Sequence, residues 1–369
     1  MVKHGINRKR LIKTFTDLVS IPSPSWNEHK VIDYIFDRLN SSGTACRKIR
    51  CGRSFNLYAR VKGSRPGTPF LLSAHTDTVQ PCDGIKPVVS KSRISSEGER
   101  ILGSDNKAAI AMFIEAVQVI RETGIHHPGF EILLTCAEEV GLMGIQKFDI
   151  GILNSEYAFV FDSDGDIGGI ITAAPFHFRL KITVTGRAAH AGMEPEKGVN
   201  AINCLAEILC AIPPSGRLDD ETTLNAGTIQ GGTATNIVAP SAECSLEVRS
   251  ISRKRAESVI REIKKTARNK AASMGASVRI ETGLEYPGYR ISEKDRIVSK
   301  VKRAMGRIGI TPVIGFSGGG SDTNILNRAG IKAVNLSCGM RNMHSTSEYI
   351  LIKDLVNGAC LVVSLAEYE

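Results

Sequence analysis

Apolar positions recur at helical spacing near the front of the chain, at Leu11, Ile12, Phe15, Leu18 and Val19. They predict a helix that stops before Pro22, because the residue preceding a proline avoids the α region. Ile21-Pro22-Ser23-Pro24-Ser25 reads as a rigid turn. A second amphipathic helix from about Asn27 carries Val31, Ile32, Ile35, Phe36 and Leu39 on one face. The period then changes. Asn56 to Val61 reads as a strand. Phe70 to Ala74, Phe130 to Thr135 and Tyr157 to Phe161 are nearly continuous apolar runs of strand length, as buried sheet strands are. Residues 80–103 are polar, with several glycines, and predict a long loop or small hairpin over the sheet. An alanine-rich helix from Ala108 to Ile120 follows. Strands alternating with helices predict an α/β sheet with helices on both faces.

After Gly168 the pattern becomes an alternation. Phe178, Leu180, Ile182 and Val184 suit a strand with one solvated face. A helix from Ala201 to Ile212, strands at Thr222 to Gly231 and Ala242 to Arg249, a long helix from Ser252 to Met274 and a strand at Ser277 to Thr282 complete the set. Strand-helix-strand-strand-helix-strand is the order of a ferredoxin-like unit. It predicts an inserted domain, 174–287. The α/β pattern resumes with a helix from Glu293 to Ile308, strands at Pro312 to Phe316 and Ala333 to Leu336, and a closing helix from Ile352 to Ala366. The first domain is therefore expected to be discontinuous, 1–173 and 288–369.

The length of 369 residues agrees with two domains rather than one growing core. Hydrophobic and charged contents of 42% and 23% are those of a soluble globular protein, and no apolar run is long enough to predict a membrane span. Met1 to Arg10 is charged but is followed by neither an apolar stretch nor a small-residue cleavage signal, so export is not expected. Nine cysteines without a Cys-x-x-Cys pair argue for reduced thiols and a cytoplasmic location. The net charge of +9 raises nucleic acid as a partner. The basic residues are dispersed, however, and those from Arg253 to Lys270 fall along one helix without interleaved aromatics, so neither a nucleic-acid nor a membrane partner is expected. The charge suits the steering of an anionic substrate such as a peptide carboxylate.

Candidate chemistry gathers where apolar strands end. His75 and Asp77 follow Phe70 to Ala74; period two puts them on one face if the strand continues, with Asp77 free to hold the second ring nitrogen of His75. Asp105 precedes the alanine-rich helix, as either an N-cap or a carboxylate with an oxygen for each of two metals. Glu138 and Glu139 follow Ile132 to Thr135. As adjacent residues they face different ways, so one suits a metal and the other a water, although both also read as solvated loop acids. Asp162 ends the strand Ala158 to Phe161. Asp162, Asp164 and Asp166 have the spacing of a calcium loop but lack its downstream acid. His344 lies in a polar loop, as a ligand or a surface histidine, with Glu348 as a support for the loop. Phe316-Ser317-Gly318-Gly319-Gly320-Ser321-Asp322 offers backbone N–H groups that could cradle a carboxylate, but it lacks the Gly-Lys-Ser/Thr ending of a phosphate loop.

Together, in this order and with the Ser20-Ile21-Pro22-Ser23 turn at the front, these segments resemble the M20 family of metallopeptidases, in particular its peptidase T-like branch of tripeptide aminopeptidases. The resemblance covers nearly the whole chain. It implies a zinc-peptidase-like catalytic domain with a mixed central sheet, and an inserted ferredoxin-like α+β domain serving as lid and dimerisation domain. It further implies two divalent metal ions, zinc or else cobalt or manganese. His75, Asp105 and Asp162 would hold one and Asp105, Glu139 and His344 the other; Asp164 offers a competing oxygen to Asp162. Glu138 resembles the catalytic acid–base, and Asp77 the residue that orients His75. Gly186-Arg187-Ala188-Ala189-His190-Ala191-Gly192 is similar to the segment whose histidine reaches an active site, often the partner subunit's. Asn236, Arg249, Gly318 and Gly319 resemble substrate-binding positions, Arg249 with a planar fork suited to a terminal carboxylate. The expected function is hydrolysis of short peptides at the amino end by a homodimer. An M20-type deacylase of N-acyl amino acids, and a non-enzymatic metal-binding protein on the same scaffold, are the alternatives.

Overall fold

The computed structural model describes residues 5–367. Residues 1–4, which begin the charged Met1–Arg10 segment, and 368–369, which end the expected 288–369 part, lie outside the described residues.

Helices α1 (Arg8–Val19) and α2 (His29–Ser41) are followed by β1 (Ala45–Cys51), β2 (Ser54–Lys62) and β3 (Phe70–His75). The sequence does not predict β1, because Cys46-Arg47-Lys48-Ile49-Arg50 shows no apolar face; antiparallel pairing with β2 forms it. The polar stretch holds a hairpin, β4 (Pro87–Val89) and β5 (Arg93–Ser96). Then come α3 (Ser104–Thr123), β6 (Gly129–Thr135), the single turn α4 (Met143–Gln146), β7 (Tyr157–Ser163) and β8 (Gly169–Ala174). The next segment is β9 (Phe176–Thr185), α5 (Ala201–Ala211), β10 (Gly216–Asp219), β11 (Thr222–Gly231), β12 (Ser241–Ser250), α6 (Arg253–Ser273) and β13 (Ser277–Tyr286). The chain returns through β14 (Tyr289–Arg290), α7 (Arg296–Arg307), β15 (Val313–Phe316), α8 (Asp322–Arg328), β16 (Lys332–Ser337), β17 (Met340–Arg341), β18 (Tyr349–Leu351) and α9 (Ile352–Glu367). The helix predicted from Glu293 starts at Arg296 instead, because Asp295 caps it through the Ile297 N–H.

The backbone packs into two compact units. One comprises Met1–Thr172, Ile291–Phe316 and Ser321–Glu369; the other comprises Ala173–Arg290 and Ser317–Gly320. The short glycine segment thus groups with the second unit, although its place in the sequence is within the resumed α/β part. Its anchor there is the Ser317 N–H, which donates to the Ala173 carbonyl at 2.9 Å.

In the first unit the sheet runs β1-β2-β6-β3-β7-β16-β8. β3 is parallel to β6 and β7, and β16 is parallel to β7, while β1, β2 and β8 pair antiparallel. The sheet is therefore mixed. Every residue of β3 and β6 is buried, which explains their unbroken apolar runs. Leu11, Phe15, Phe113, Phe161, Leu355 and Leu361 belong to one core, and each such side chain buried contributes about 1.5–3 kcal/mol. β17, β18, β5 and β4 form a second small sheet. Because β3, β6, β7 and β16 are parallel, their carboxyl ends emerge on one edge, where ligands gather in α/β sheets.

The second unit is an antiparallel sheet in the order β10-β11-β12-β9-β13. Leu180, Ile182 and Val184 of β9 are fully buried, together with Leu205 and Ile208 of α5 and Val259 and Ile263 of α6. β9, β11, β12 and β13 with two helices make the ferredoxin-like arrangement, and β10 adds an edge strand. No helix among the described residues is long and apolar enough to cross a membrane.

Candidate metal centre

The parallel register sets the first residues side by side. His75 pairs with Thr135, and the step from Ser73–Val160 carries two residues on to His75 and Asp162. His75 Nε2 lies 3.0 Å from Asp105 Oδ1 and 3.3 Å from Asp162 Oδ1. On the other side, His344 Nε2 lies 3.2 Å from Asp105 Oδ2 and 3.1 Å from Glu139 Oε1. The two oxygens of Asp105 thus face two different histidine–carboxylate groups. Ligand atoms of His75, Asp105 and Glu139 all lie within 4.8 Å of one another. Asp164 is exposed, whereas Asp162 is held inside by the Asn106 amide, 2.8 Å from its Oδ1.

Asp105 does not cap α3. Its own backbone (φ −81°, ψ 102°) and that of Asn106 are non-helical, and Gly103 precedes them at φ 71°, a left-handed conformation that glycine adopts without strain. Glu348 holds this bend: Oε2 accepts the Gly103 N–H at 2.6 Å, and Oε1 accepts the Asp105 N–H at 3.0 Å and the Ser104 hydroxyl at 2.6 Å. Glu348 therefore supports the Asp105 segment as well as ending the His344 loop. His344 itself sits at φ 60° and Ala137, just before Glu138, at φ 50°; both conformations cost a non-glycine residue energy, as backbone at functional sites often does.

Asp77 departs from its expected geometry. β3 ends at His75, so strand periodicity no longer governs it. His75 Nδ1 meets the Asp77 backbone carbonyl at 2.9 Å, with the carboxylate farther off at 3.5 Å. The carboxylate instead accepts the N–H of Glu138 (2.9 Å), the N–H of Glu139 (3.2 Å) and the Ser25 hydroxyl (2.7 Å). Glu28 holds the same turn through the Ala137 N–H at 2.9 Å.

The donor set fits metal ions. A carbonyl only accepts, so His75 carries its proton on Nδ1, and in the neutral ring the Nε2 lone pair faces two carboxylate oxygens. That contact is repulsive unless a cation lies between them or the ring is charged. Burial, with the neighbouring Asp162, pushes Glu138 well above the usual carboxylate range. Burial likewise raises Asp162 to about 6, with Asp105 and Glu139 adding to it. Burial opposes charge on His75, yet Asp162, Asp105 and Asp77 hold it well above its ordinary value. Hydrogen bonds to Asp105 and Glu139 raise His344 to about 10. Burial opposes charge on Asp105 as well, yet hydrogen bonds with His344 and His75 hold it below the usual carboxylate range, so this cluster of acids and imidazoles favours added positive charge. Lys107, fully buried on α3, makes no ion pair with these acids among the described residues; its ammonium donates to the Ile21 carbonyl at 2.7 Å.

Sequence reasoning does not find Asn335, whose amide accepts the Asp162 N–H at 2.9 Å and donates to the Asp162 carbonyl at 3.1 Å. The available signal is a lone amide inside the apolar Ala333-Val334-Asn335-Leu336. Asp322 is also missed. It is buried, accepts the Thr135 hydroxyl at 2.6 Å, and is raised by burial to about 7.

The remaining candidates belong to the second unit. His190 is exposed, and its Nδ1 accepts the N–H groups of Gly192 and Met193, both at 3.2 Å, so the neutral ring carries its proton on Nε2. Asn236 is joined to this segment by a His190–Ile237 bridge and by the Ala191 N–H, which donates to the Asn236 carbonyl at 3.0 Å. Arg249 donates to Glu247, and its Nη1 lies 3.5 Å from the Gly318 carbonyl. Gly318 thus presents its carbonyl to Arg249, and the Gly319 N–H is already taken by Ser317 Oγ at 3.0 Å.

Residues 177–274 match the peptidase dimerisation domain of the M20 family. The chain is 35% identical over 367 residues to the uncharacterised protein YqjE of Bacillus subtilis strain 168, covering 98% of this chain and 99% of that one. Among solved structures, aminopeptidase PepT from Bacillus cereus superposes with a TM-score of 0.92 at 35% identity, covering 98% and 99% of the two chains. A tripeptidase from Staphylococcus aureus superposes with a TM-score of 0.94 at 30% identity, covering 98% of each.

Proposed function

Because this chain belongs to the M20 family of metallopeptidases, in its peptidase T-like branch, we propose that it is a two-metal aminopeptidase of short peptides such as tripeptides. The observation that carries the metal count is the division of Asp105, with Oδ1 beside His75 and Oδ2 beside His344. His75, Asp105 and Asp162 would hold one ion and Asp105, Glu139 and His344 the other. Divalent metal, zinc for preference with imidazole and carboxylate ligands, would supply Lewis acidity and make water a nucleophile at neutral pH.

Glu138 takes the proton from that water and returns it to the departing amine. Support comes from its burial, its raised proton affinity and its backbone, fixed by Asp77. His190 offers an Nε2–H to polarise the carbonyl or stabilise the oxyanion. Asn236 and the Gly318–Gly319 backbone line the peptide, and Arg249 takes its terminal carboxylate. The second unit, matching a dimerisation domain, joins two copies of the chain.

The deciding experiment supplies protein of defined metal content with dipeptides, tripeptides and matched N-acyl amino acids. Two metals per chain, release of the amino-terminal residue and loss of turnover on chelation are expected. Preference for the N-acylated compounds would replace the aminopeptidase reading with a deacylase. Full activity with one metal per chain would overturn the two-metal site.

A further inference from the structure

His177, Glu247, Arg249 and Tyr286 form a row within the second unit. Arg249 of β12 pairs with His177 of β9, and His177 pairs with Tyr286 of β13. Glu247, two residues before Arg249, shares its face of the strand. The guanidinium uses its edges unequally. Its Nε and Nη2 donate to Glu247 Oε1 and Oε2, at 3.1 Å each, a chelate of the side-on edge. Glu247 Oε2 also lies 3.0 Å from His177 Nε2; since the carboxylate only accepts, the ring donates there. Nη1 donates to the Tyr286 hydroxyl at 3.2 Å and makes only a long contact, 3.5 Å, with the Gly318 carbonyl. The His177 ring stands edge-on to Tyr286, with centroids 5.1 Å apart. Gly320 also lies against Tyr286, where an added Cβ would clash with the ring. The arginine side chain nevertheless remains 28% exposed.

We propose that Glu247 is a positioning residue for peptide recognition: by filling the side-on edge of Arg249, it presets the guanidinium plane and leaves the end-on Nη1/Nη2 edge to chelate the terminal carboxylate of a short peptide. This rests on the reading above that Arg249 takes that carboxylate. Arginine presents five donors in a rigid fork, so it holds two carboxylates at once, one on each edge. An unsupported arginine would have to order its long side chain on binding, whereas this one is already ordered. Burial and the neighbouring Arg249 lower the basicity of His177 more than Glu247 and Glu285 raise it, and its Nε2–H donates to Glu247. Glu247 and Arg249 together carry no net charge, so recognition depends on aligned donors rather than attraction from a distance. The incoming carboxylate displaces the long Gly318 contact and keeps the chelate to Glu247.

The test measures kcat and KM of the metal-loaded full-length enzyme for a tripeptide and for its C-terminal amide. Arg249→Met raises KM for the free acid at least tenfold and that for the amide, which keeps one accepting oxygen, by much less. Glu247→Gln raises KM for the free acid three- to tenfold, with kcat within twofold and the amide unaffected. If Arg249→Met loses the discrimination but Glu247→Gln leaves KM for the free acid unchanged or lowers it, Glu247 is a bystander or a competitor, and the inference fails while the Arg249 reading stands. If Arg249→Met changes neither KM, the Arg249 reading fails and takes the inference with it. Tyr286→Phe serves should Glu247→Gln misfold. It removes one oxygen while keeping the ring, and a two- to threefold rise for the free acid alone supports the preset plane; no rise overturns it.

Discussion

Asp77 Oδ1 accepts the backbone N–H of Glu138 at 2.9 Å, so one buried carboxylate joins the end of β3 to the turn after β6. Its second oxygen takes the Glu139 N–H, and its own carbonyl takes the His75 ring. Histidine, proposed base and proposed ligand are thus indexed to one residue. Asp77→Asn turns an acceptor into an NH2 group among donors. Outer partners of metal ligands typically contribute 10–100-fold to affinity or activity. The expected result is a loss of about that size in metal affinity, measured by competition with a chromophoric chelator, accompanied by a fall in kcat.

Glu138→Gln keeps the shape of the side chain and removes its basicity. Metal content by elemental analysis should match the parent protein, while kcat falls by about 10²–10⁴, the usual share of acid–base catalysis. Full turnover with metal content verified would remove Glu138 from the mechanism.

Gly320→Ala drives a methyl group into the Tyr286 ring, which is itself packed edge-on with His177. Overpacking of this kind costs about 1–3 kcal/mol. Thermal unfolding should show the loss, and it should be smaller in the Gly320→Ala, Tyr286→Leu double variant.

Glu131, toward the start of β6, makes stability depend on pH. It is fully buried in β6, and burial pushes its carboxyl up. Bonds from Ser155, Tyr58 and Asn154 outweigh that and set it below the ordinary range. A depressed carboxyl stabilises the fold above its unfolded pKa, about 4.3, and that contribution disappears as pH falls through the folded value. Glu131→Gln should cost about 2–3 kcal/mol at pH 7, by analogy with other buried charged acceptors. The gap in urea-unfolding free energy between parent and variant should narrow below about pH 4.

The apolar runs made β3, β6 and β7 legible, and with them the ends at which His75, Glu138 and Asp162 stand. Interior strands are written in local composition, which one sequence exposes. β1 was not legible, because an edge strand with a polar face is made by its partner β2 rather than by its own residues. Asp105 was legible as a residue but not as a conformation. Whether it caps a helix or turns inward depends on Glu348, 243 positions away, and such distant bonds leave no periodic trace. Asp77 shows the same limit: β3 stops two residues before it, so strand spacing does not predict that its carbonyl takes the His75 ring while its carboxylate, 3.5 Å from Nδ1, takes the Glu138 and Glu139 N–H groups. In the second unit Arg249 was legible only through the family resemblance, since by itself it reads as ordinary strand-end polarity, and its chelation by Glu247 required knowing which strand face they share.

The discontinuity of the first unit has a consequence during synthesis. His75, Asp105, Glu139 and Asp162 are all made before the chain enters Ala173–Arg290, yet His344 and Glu348 follow that segment. Domains fold as units, amino-terminal parts first. The second unit, almost continuous in sequence, has what it needs to fold while the first is still waiting for β16 and α9. Until Glu348 emerges, the backbone N–H groups of Gly103 and Asp105 lack their acceptor. An acidic half-site therefore exists on the nascent chain before the bend that aims Asp105 is fixed. On the proposed two-metal reading, an ion bound before Glu348 emerges would meet an Asp105 whose bend is not yet held, and one bound afterwards would meet it fixed. The last fifth of the polypeptide thereby governs when the protein can become an enzyme.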